Sequence, residues 1–208
     1  MIVQLGVFLF SVMIISLSGV LMPGPVTTVT VAKGAKNPLA GSLVALGHAV
    51  VEFPLIALIY FGVGVLFQKP PVKIGIGVLG GAFLLWMGID MLRNFRKVEL
   101  KTEEKDMNPF VAGMILSAGN PYFLVWWATV GANLVFQSLA FGLMGLFLLA
   151  IFHWFWDLAW LQFLSRMSFQ GGKFFGKKLQ MGVFVVCGLA MIYFGLFFIV
   201  SALMTLSS

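Results

Sequence analysis

Charged side chains are scarce in this sequence. They make up 10% of its 208 residues, whereas hydrophobic residues make up 61%. A water-soluble protein of this size could not cover its exterior with so little charge. Apolar runs of about eighteen or more residues recur along the chain, and each is long enough to cross roughly 30 Å of hydrocarbon. The chain is therefore predicted to be an integral membrane protein, with the lipid bilayer as its surroundings.

Cysteine is almost absent. Cys187 is the only one and lies within an apolar run, which excludes a disulfide framework, a Cys-x-x-Cys redox pair and a thiolate metal site. No nucleophile stands beside a base in a recognisable catalytic motif. We therefore expect no enzymatic activity, no cofactor and no nucleic-acid partner.

The apolar runs divide into six segments. These cover residues 3–32, 39–67, 72–92, 109–135, 138–164 and 179–203. Helix is the expected structure of each, because backbone polar groups in lipid must bond within their own segment and the alternation of a barrel strand is absent. The predicted fold is an all-α membrane protein with six transmembrane helices.

Basic residues are distributed unevenly around these segments. Eleven of the thirteen fall in the connections after segments 1, 3 and 5, and only Lys69 and Lys73 fall on the other side. The eleven are Lys33, Lys36, Arg93, Arg96, Lys97, Lys101, Lys105, Arg166, Lys173, Lys177 and Lys178. Because the side rich in lysine and arginine normally faces the cytoplasm, we expect both termini to lie outside, in the plasma (inner) membrane of a prokaryote.

The two halves of the chain resemble each other. Each contains, in the same order, a segment interrupted by proline, a segment with a histidine four residues before an acid, and a glycine-rich segment. Three is an odd number, so the second unit must enter the membrane inverted relative to the first. We predict a first repeat over residues 1–98, a cytoplasmic linker at 99–107 and an inverted second repeat over 108–208, with a site near the bilayer midplane.

Two acids lie deep within apolar segments, Glu52 and Asp157, and each follows a histidine, His48 and His153, by one helical turn. An ionised acid at the bilayer centre costs about 2.5–3.5 kcal/mol on insertion scales, so such residues usually face a cavity and serve a function. We predict that these four residues couple transport to protons. The alternative is a purely structural role, with neutral hydrogen-bonded acids joining two helices.

The first and fourth segments are each interrupted. Two prolines in Pro23-Gly24-Pro25 must break or kink the first helix, since each removes a backbone donor and clashes with a preceding carbonyl. The half-helix that follows begins with partial positive charge, which suits a carboxylate. The predicted substrate-binding residues are Pro23, Gly24, Pro25, Thr27, Thr28, Asn120 and Pro121. An ordinary proline kink without a ligand is the alternative.

Five tryptophans stand out in the second half. They are Trp126, Trp127, Trp154, Trp156 and Trp160. Tryptophan is enriched where helices meet lipid and the membrane interface. We expect packing of that kind and assign these residues no role.

These motifs also resemble the lysine-exporter (LysE/RhtB) family of amino-acid exporters. The resemblance is carried by Pro23-Gly24-Pro25, by Leu46-Gly47, by the glycine-rich run 80–88 with Leu92-Arg93 after it, and by Asn120-Pro121. It covers most of the chain. It implies an exporter of amino acids or similar metabolites driven by the proton motive force.

The leading interpretation is therefore a secondary exporter whose partner is a small molecule, in particular an amino acid. The alternative is a divalent-metal exporter, because two histidines and two carboxylates at i, i+4 spacing would suit zinc, nickel or cobalt if their helices meet. Cytosolic histidine-rich loops, which would favour a metal exporter, are absent from the sequence. A homo-oligomer is compatible with either function.

Overall fold

A computed structural model describes residues 2–63, 69–94, 107–174 and 176–207, and within these ranges the chain is helical with no β-strand. The helices are α1 (Ile2–Val20), α2 (Pro25–Gly34), α3 (Ala40–Leu58), α4 (Pro70–Asn94), α5 (Pro109–Ala118), α6 (Pro121–Trp126), α7 (Ala132–Ser138), α8 (Gly142–Phe174) and α9 (Gly176–Ser207). The prediction of an all-helical protein is confirmed. Most of the predicted linker, residues 99–106, lies outside the described residues.

Both predicted helix breaks are present. The first separates α1 from α2 at Pro25, and the second separates α5 from α6 at Pro121. Proline stands in the first turn of α2 and of α6, where its missing N–H removes no helical bond. Asn120 caps α6, because its side-chain oxygen accepts a hydrogen bond from the backbone nitrogen of Tyr122 at 3.1 Å.

The second half differs in detail from the predicted segments. After α6 the chain forms a π-helical turn (Trp127–Gly131), then α7, then a 3-10 turn (Leu139–Phe141), and only then α8. Gly142 begins α8 with φ 60° and ψ −151°, a conformation that side chains disfavour. The helix α8 also ends ten residues beyond the predicted limit at residue 164. The hydropathy pattern indicates where a helix leaves the lipid, but it does not indicate where the backbone hydrogen bonds of the helix end.

Among the residues that the structure describes, four stretches of helix are long and apolar enough to cross a membrane. They are Ile2–Val20, Ala40–Gly62, Pro70–Asp90 and Pro121–Gly171, and two shorter apolar helices are Pro109–Ala118 and Gly188–Met204. The last of the four is 51 residues long and contains the turn at Gly142. The six-span count and the inverted order of the halves stay predictions.

The glycine-rich runs of the two halves pack against each other. A Cβ atom added at Gly81 would lie 2.6 Å from the carbonyl oxygen of Gly195, and one added at Gly88 would lie 2.7 Å from that of Gly188. The helices α4 and α9 therefore cross in antiparallel fashion with their backbones in contact. Small residues allow such close approach, which is a main source of helix association in lipid.

Glycines also let α3 pack closely against two other helices. Gly47 meets the backbone of Phe110 on α5, and Gly41 meets the backbone of Leu161 on α8, so that a side chain at either position would collide. Gly41 shares one face of α3 with His48 and Glu52, and all three residues are buried.

Candidate functional site

The two histidines and the two deep acids form one buried cluster, which we call the quartet: His48 and Glu52 of α3 with His153 and Asp157 of α8. The Oε1 atom of Glu52 lies 3.2 Å from Nε2 of each histidine. The Oδ2 atom of Asp157 lies 3.5 Å from Nε2 of His153 and 3.9 Å from that of His48. The helices α3 and α8 therefore meet through these four residues. Their role in proton coupling stays a prediction.

The Nδ1 atom of each histidine contacts a serine from the other half of the chain. Nδ1 of His48 lies 2.6 Å from the hydroxyl of Ser117 on α5, and Nδ1 of His153 lies 2.7 Å from that of Ser16 on α1. Neither serine was predicted as a site residue, since a serine in an apolar helix commonly bonds its own backbone. Each serine shortly precedes a proline break, and this position was the signal in the sequence that could have marked both as site residues.

The protonation of His48 at Nδ1 follows from these bonds. The hydroxyl of Ser117 also lies 2.6 Å from the carbonyl oxygen of Gly113, which can only accept a hydrogen bond. The single hydroxyl proton of Ser117 is therefore committed to Gly113. The ring of His48 must then donate its Nδ1–H to Ser117, and its Nε2 atom faces the two carboxylates.

Two tryptophans belong to the site, so the expectation that they pack against lipid is wrong for them. Trp127 is 1% exposed and donates its indole N–H to Oε1 of Glu52 at 3.3 Å. Trp126 is also buried and donates to the hydroxyl of Ser18 at 3.1 Å. A buried indole needs an acceptor, and both residues lie on the stretch that follows the Asn120-Pro121 break, which was the signal available in the sequence.

Two carboxylate oxygens of the quartet make no hydrogen bond to any described residue. They are Oε2 of Glu52 and Oδ2 of Asp157, and both are buried. Buried polar atoms almost always have partners. These oxygens are therefore available to a ligand that carries positive charge or donates hydrogen bonds.

A cavity of about 70 Å³ joins the quartet to both helix breaks. The predicted site residues that line it, besides the quartet, are Pro23, Gly24, Pro25, Thr27 and Asn120. Thr28 and Pro121 lie outside this lining. The hydroxyl of Thr28 donates to the carbonyl oxygen of Gly24 at 3.0 Å, and Pro121 packs against Gly80. The structure thus brings nine of the eleven predicted residues to one cavity.

Groups of opposite electrostatic preference line the cavity. The first turn of α2 presents backbone N–H groups that have no acceptor within the helix, and these favour negative charge. The quartet presents the two carboxylates. Aromatic side chains form part of the cavity wall, including Tyr122 and Phe123.

The family model described as LysE type translocator matches residues 17–202. The chain belongs to this family. Its matched range includes both breaks, the quartet and the α4–α9 pair, so the resemblance seen in the motifs is confirmed. This LysE family protein is therefore a multi-pass membrane transporter.

Three curated relatives are similar to this LysE family chain. An uncharacterized membrane protein of Pseudomonas aeruginosa is 26% identical over 85% of this chain and 86% of its own length. The "Putative amino acid efflux protein YcgF" of Bacillus subtilis is 24% identical over 84% of this chain and 87% of its own. The "Chemotactic transduction protein ChpE" of Pseudomonas aeruginosa is 29% identical over 54% of this chain and 57% of its own. No solved structure matches.

Proposed function

We propose that this protein exports amino acids or similar small zwitterions across the inner membrane of a prokaryote, driven by the proton motive force. The observation that carries the proposal is the cavity, which is lined both by a helix N-terminus and by two carboxylates. A zwitterion carries the complementary charges within one small molecule. The efflux named for the Bacillus subtilis relative supports the same direction of transport.

The carboxylate of the substrate binds at the start of α2. Gly24 and Pro25 line the cavity there, and Pro25 occupies the first helical position. The next backbone N–H groups of the helix have no helical acceptor, so they can donate to an anion. The amide nitrogen of Asn120 adds a donor, since its oxygen already accepts from Tyr122.

The ammonium group of the substrate binds between Glu52 and Asp157. Each acid offers one buried oxygen without a hydrogen bond, and the cavity reaches both residues. The other oxygen of Glu52 is held by His48, His153 and Trp127. One oxygen therefore fixes the position of the carboxylate while the other exchanges a proton for the ammonium.

Coupling follows from this exchange. An acid that carries a proton when the cavity is empty, and loses it when the ammonium arrives, keeps the buried charge low in both states. Protons then move opposite to the exported substrate. The broken helices and the serine–histidine contacts between the halves support rocking of one half against the other as the route of access.

The test is uptake and efflux in proteoliposomes containing the purified protein. We expect a panel of zwitterionic amino acids to be driven against their gradient when a pH gradient is imposed, and to equilibrate slowly without one. Transport of divalent metal ions but of no amino acid would support the metal-exporter alternative instead. Efflux that does not respond to the pH gradient would contradict proton coupling.

A further inference from the structure

We propose that the quartet is also a binding site for one divalent transition-metal ion of the zinc, cobalt and nickel class. The ligands are Nε2 of His48 and His153 with one oxygen each from Glu52 and Asp157. This property goes beyond amino-acid export, since it depends on the quartet alone and not on which substrate the cavity carries.

The spacing of the four ligand atoms fits such an ion. The four nitrogen-to-oxygen distances range from 3.2 to 3.9 Å. Zinc bonds of roughly 2.0–2.2 Å to nitrogen and oxygen in a tetrahedral site place neighbouring ligand atoms about 3.3 Å apart. Candidate ligand atoms of His48, Glu52 and Asp157 all lie within 4.8 Å of one another. These distances are compatible with a shared ion between the histidine nitrogens and the carboxylate oxygens.

The orientation of the histidines fits as well. Histidine ligands of metals almost always donate their other ring N–H to a fixed acceptor. His48 does so through Ser117, whose own proton is committed to Gly113. A neutral His48 then directs the lone pair of Nε2 at Oε1 of Glu52. Two lone pairs at that distance repel unless a cation, either a proton or a metal ion, lies between them.

The charge of the quartet and the cavity that reaches it both favour a divalent ion. Two carboxylates and two neutral imidazoles balance a charge of +2, so the loaded site is neutral inside the bundle. Of the two oxygen ligands, Oδ2 of Asp157 is buried and makes no hydrogen bond to any described residue, so it is available to the ion. The cavity that reaches the quartet supplies a path for entry. Magnesium and calcium prefer oxygen ligands, so two imidazoles select against them.

Metal binding would lock the transporter. A single ion bonded to two residues of α3 and two of α8 joins these helices and occupies the Asp157 oxygen that the ammonium requires. We therefore expect zinc to inhibit efflux at concentrations that fill the site. Wild-type efflux that is unaffected at saturating zinc would contradict the predicted inhibition.

The direct test is titration of the detergent-purified wild-type protein with Co²⁺, followed by visible absorption, and with Zn²⁺, followed by calorimetry. We expect one ion per chain, the absorption bands of low-symmetry four- or five-coordinate cobalt, release of protons on binding, and no heat with Mg²⁺ or Ca²⁺. Absence of the bands together with absence of zinc heat would overturn the proposal without any variant.

Variants locate the site. We expect His48→Asn and Asp157→Asn each to weaken Zn²⁺ binding by more than about tenfold. Ser117→Ala should weaken it by roughly tenfold, because it removes the hydroxyl that accepts a hydrogen bond from Nδ1 of His48. Asp90→Asn is the matched control, because it removes a carboxylate outside the quartet. Equal zinc affinity in wild type and in a His48→Asn, Asp157→Asn double variant that elutes as a folded species would place the metal elsewhere and reject the site. Amino-acid efflux is scored separately, so each proposal can fail alone.

Discussion

At the scale of single residues, a variant of Glu52 can distinguish proton-coupled transport from substrate binding alone. Glu52→Gln keeps the shape of the side chain and most of its hydrogen bonds but cannot exchange a proton. We expect it to abolish efflux against a gradient while leaving some exchange of substrate for substrate. His48→Asn and His153→Asn should weaken transport less severely. The measurement is efflux from proteoliposomes with and without an imposed pH gradient.

Asp90→Asn serves as the control for that experiment, since it removes an acid near the end of α4 and outside the quartet. Undiminished uphill efflux by a Glu52→Gln, Asp157→Asn double variant would discard the proton-coupling proposal. Equal and severe loss of divalent-metal transport in single variants of all four quartet residues, with no amino-acid efflux by the wild type, would favour a metal exporter.

A second residue-scale prediction concerns Trp127. Trp127→Phe keeps an aromatic ring but removes the N–H that donates to Glu52. Loss of a hydrogen bond to a charged group costs about 1.5–3 kcal/mol, so we expect a lower unfolding temperature and slower efflux. Trp154→Phe is matched to it, because it loses a bond to the carbonyl oxygen of Ala45 outside the cavity lining. It should lose some stability yet keep most of its efflux, and similar efflux defects in both variants would count against a special role for Trp127.

Which site residues the sequence could reveal depends on how unusual each one is in its surroundings. Glu52 and Asp157 were visible because acids are rare inside apolar segments, and the histidines were visible through their spacing from these acids. Ser16 and Ser117 were not, since a serine in an apolar helix needs no special explanation. Which neighbour each buried donor reaches is decided by helix packing, and no local pattern in one segment contains that information.

At the scale of helices, the glycine contacts between α4 and α9 predict that adding a side chain there lowers the stability of the protein. A side chain at Gly88 would meet the carbonyl oxygen of Gly188 at 2.7 Å and the side chain of Ile192 at 2.9 Å. Overpacking of this kind typically costs about 1–3 kcal/mol. We therefore expect Gly88→Val to lower the unfolding temperature measured in detergent by tryptophan fluorescence.

Gly75→Val is the matched control on the same helix, because a Cβ atom there would meet nothing within 4 Å. It introduces the same β-branched residue and so the same helix propensity. If both variants were equally stable, close backbone contact would not be what holds α4 to α9.

The helices themselves were predicted unevenly. The breaks at Pro25 and Pro121 followed directly from the chemistry of proline. The π-helical turn at Trp127–Gly131 and the extension of α8 to Phe174 were missed. In the extension, Ser165 and Ser168 bond to backbone carbonyls of Asn37 and Val31. Such contacts stabilise a polar helix end outside the apolar run, where hydropathy gives no signal.

At the scale of the whole molecule, packing brings basic connections to one end of the bundle. The bonds from Ser165 and Ser168 place the last third of α8 beside the α2–α3 connection. The former stretch carries Arg166 and the latter carries Lys36. The antiparallel contact between Gly88 and Gly188 likewise places the C-terminal end of α4, with Arg93, beside the start of α9. This arrangement supports one basic face, which the positive-inside rule assigns to the cytoplasm.

That face makes the orientation of the protein testable. Because α9 starts at the basic end and its apolar part runs away from it, the C-terminus should emerge on the opposite side of the membrane. Alkaline phosphatase fused after Ser208 should therefore be active in intact bacteria, whereas a fused green fluorescent protein should stay dark. Moving the same phosphatase to the predicted linker, after Glu104, should abolish its activity, which controls for expression. Fluorescent cells with inactive phosphatase at the C-terminus would place that end in the cytoplasm and overturn the six-span topology with both termini outside.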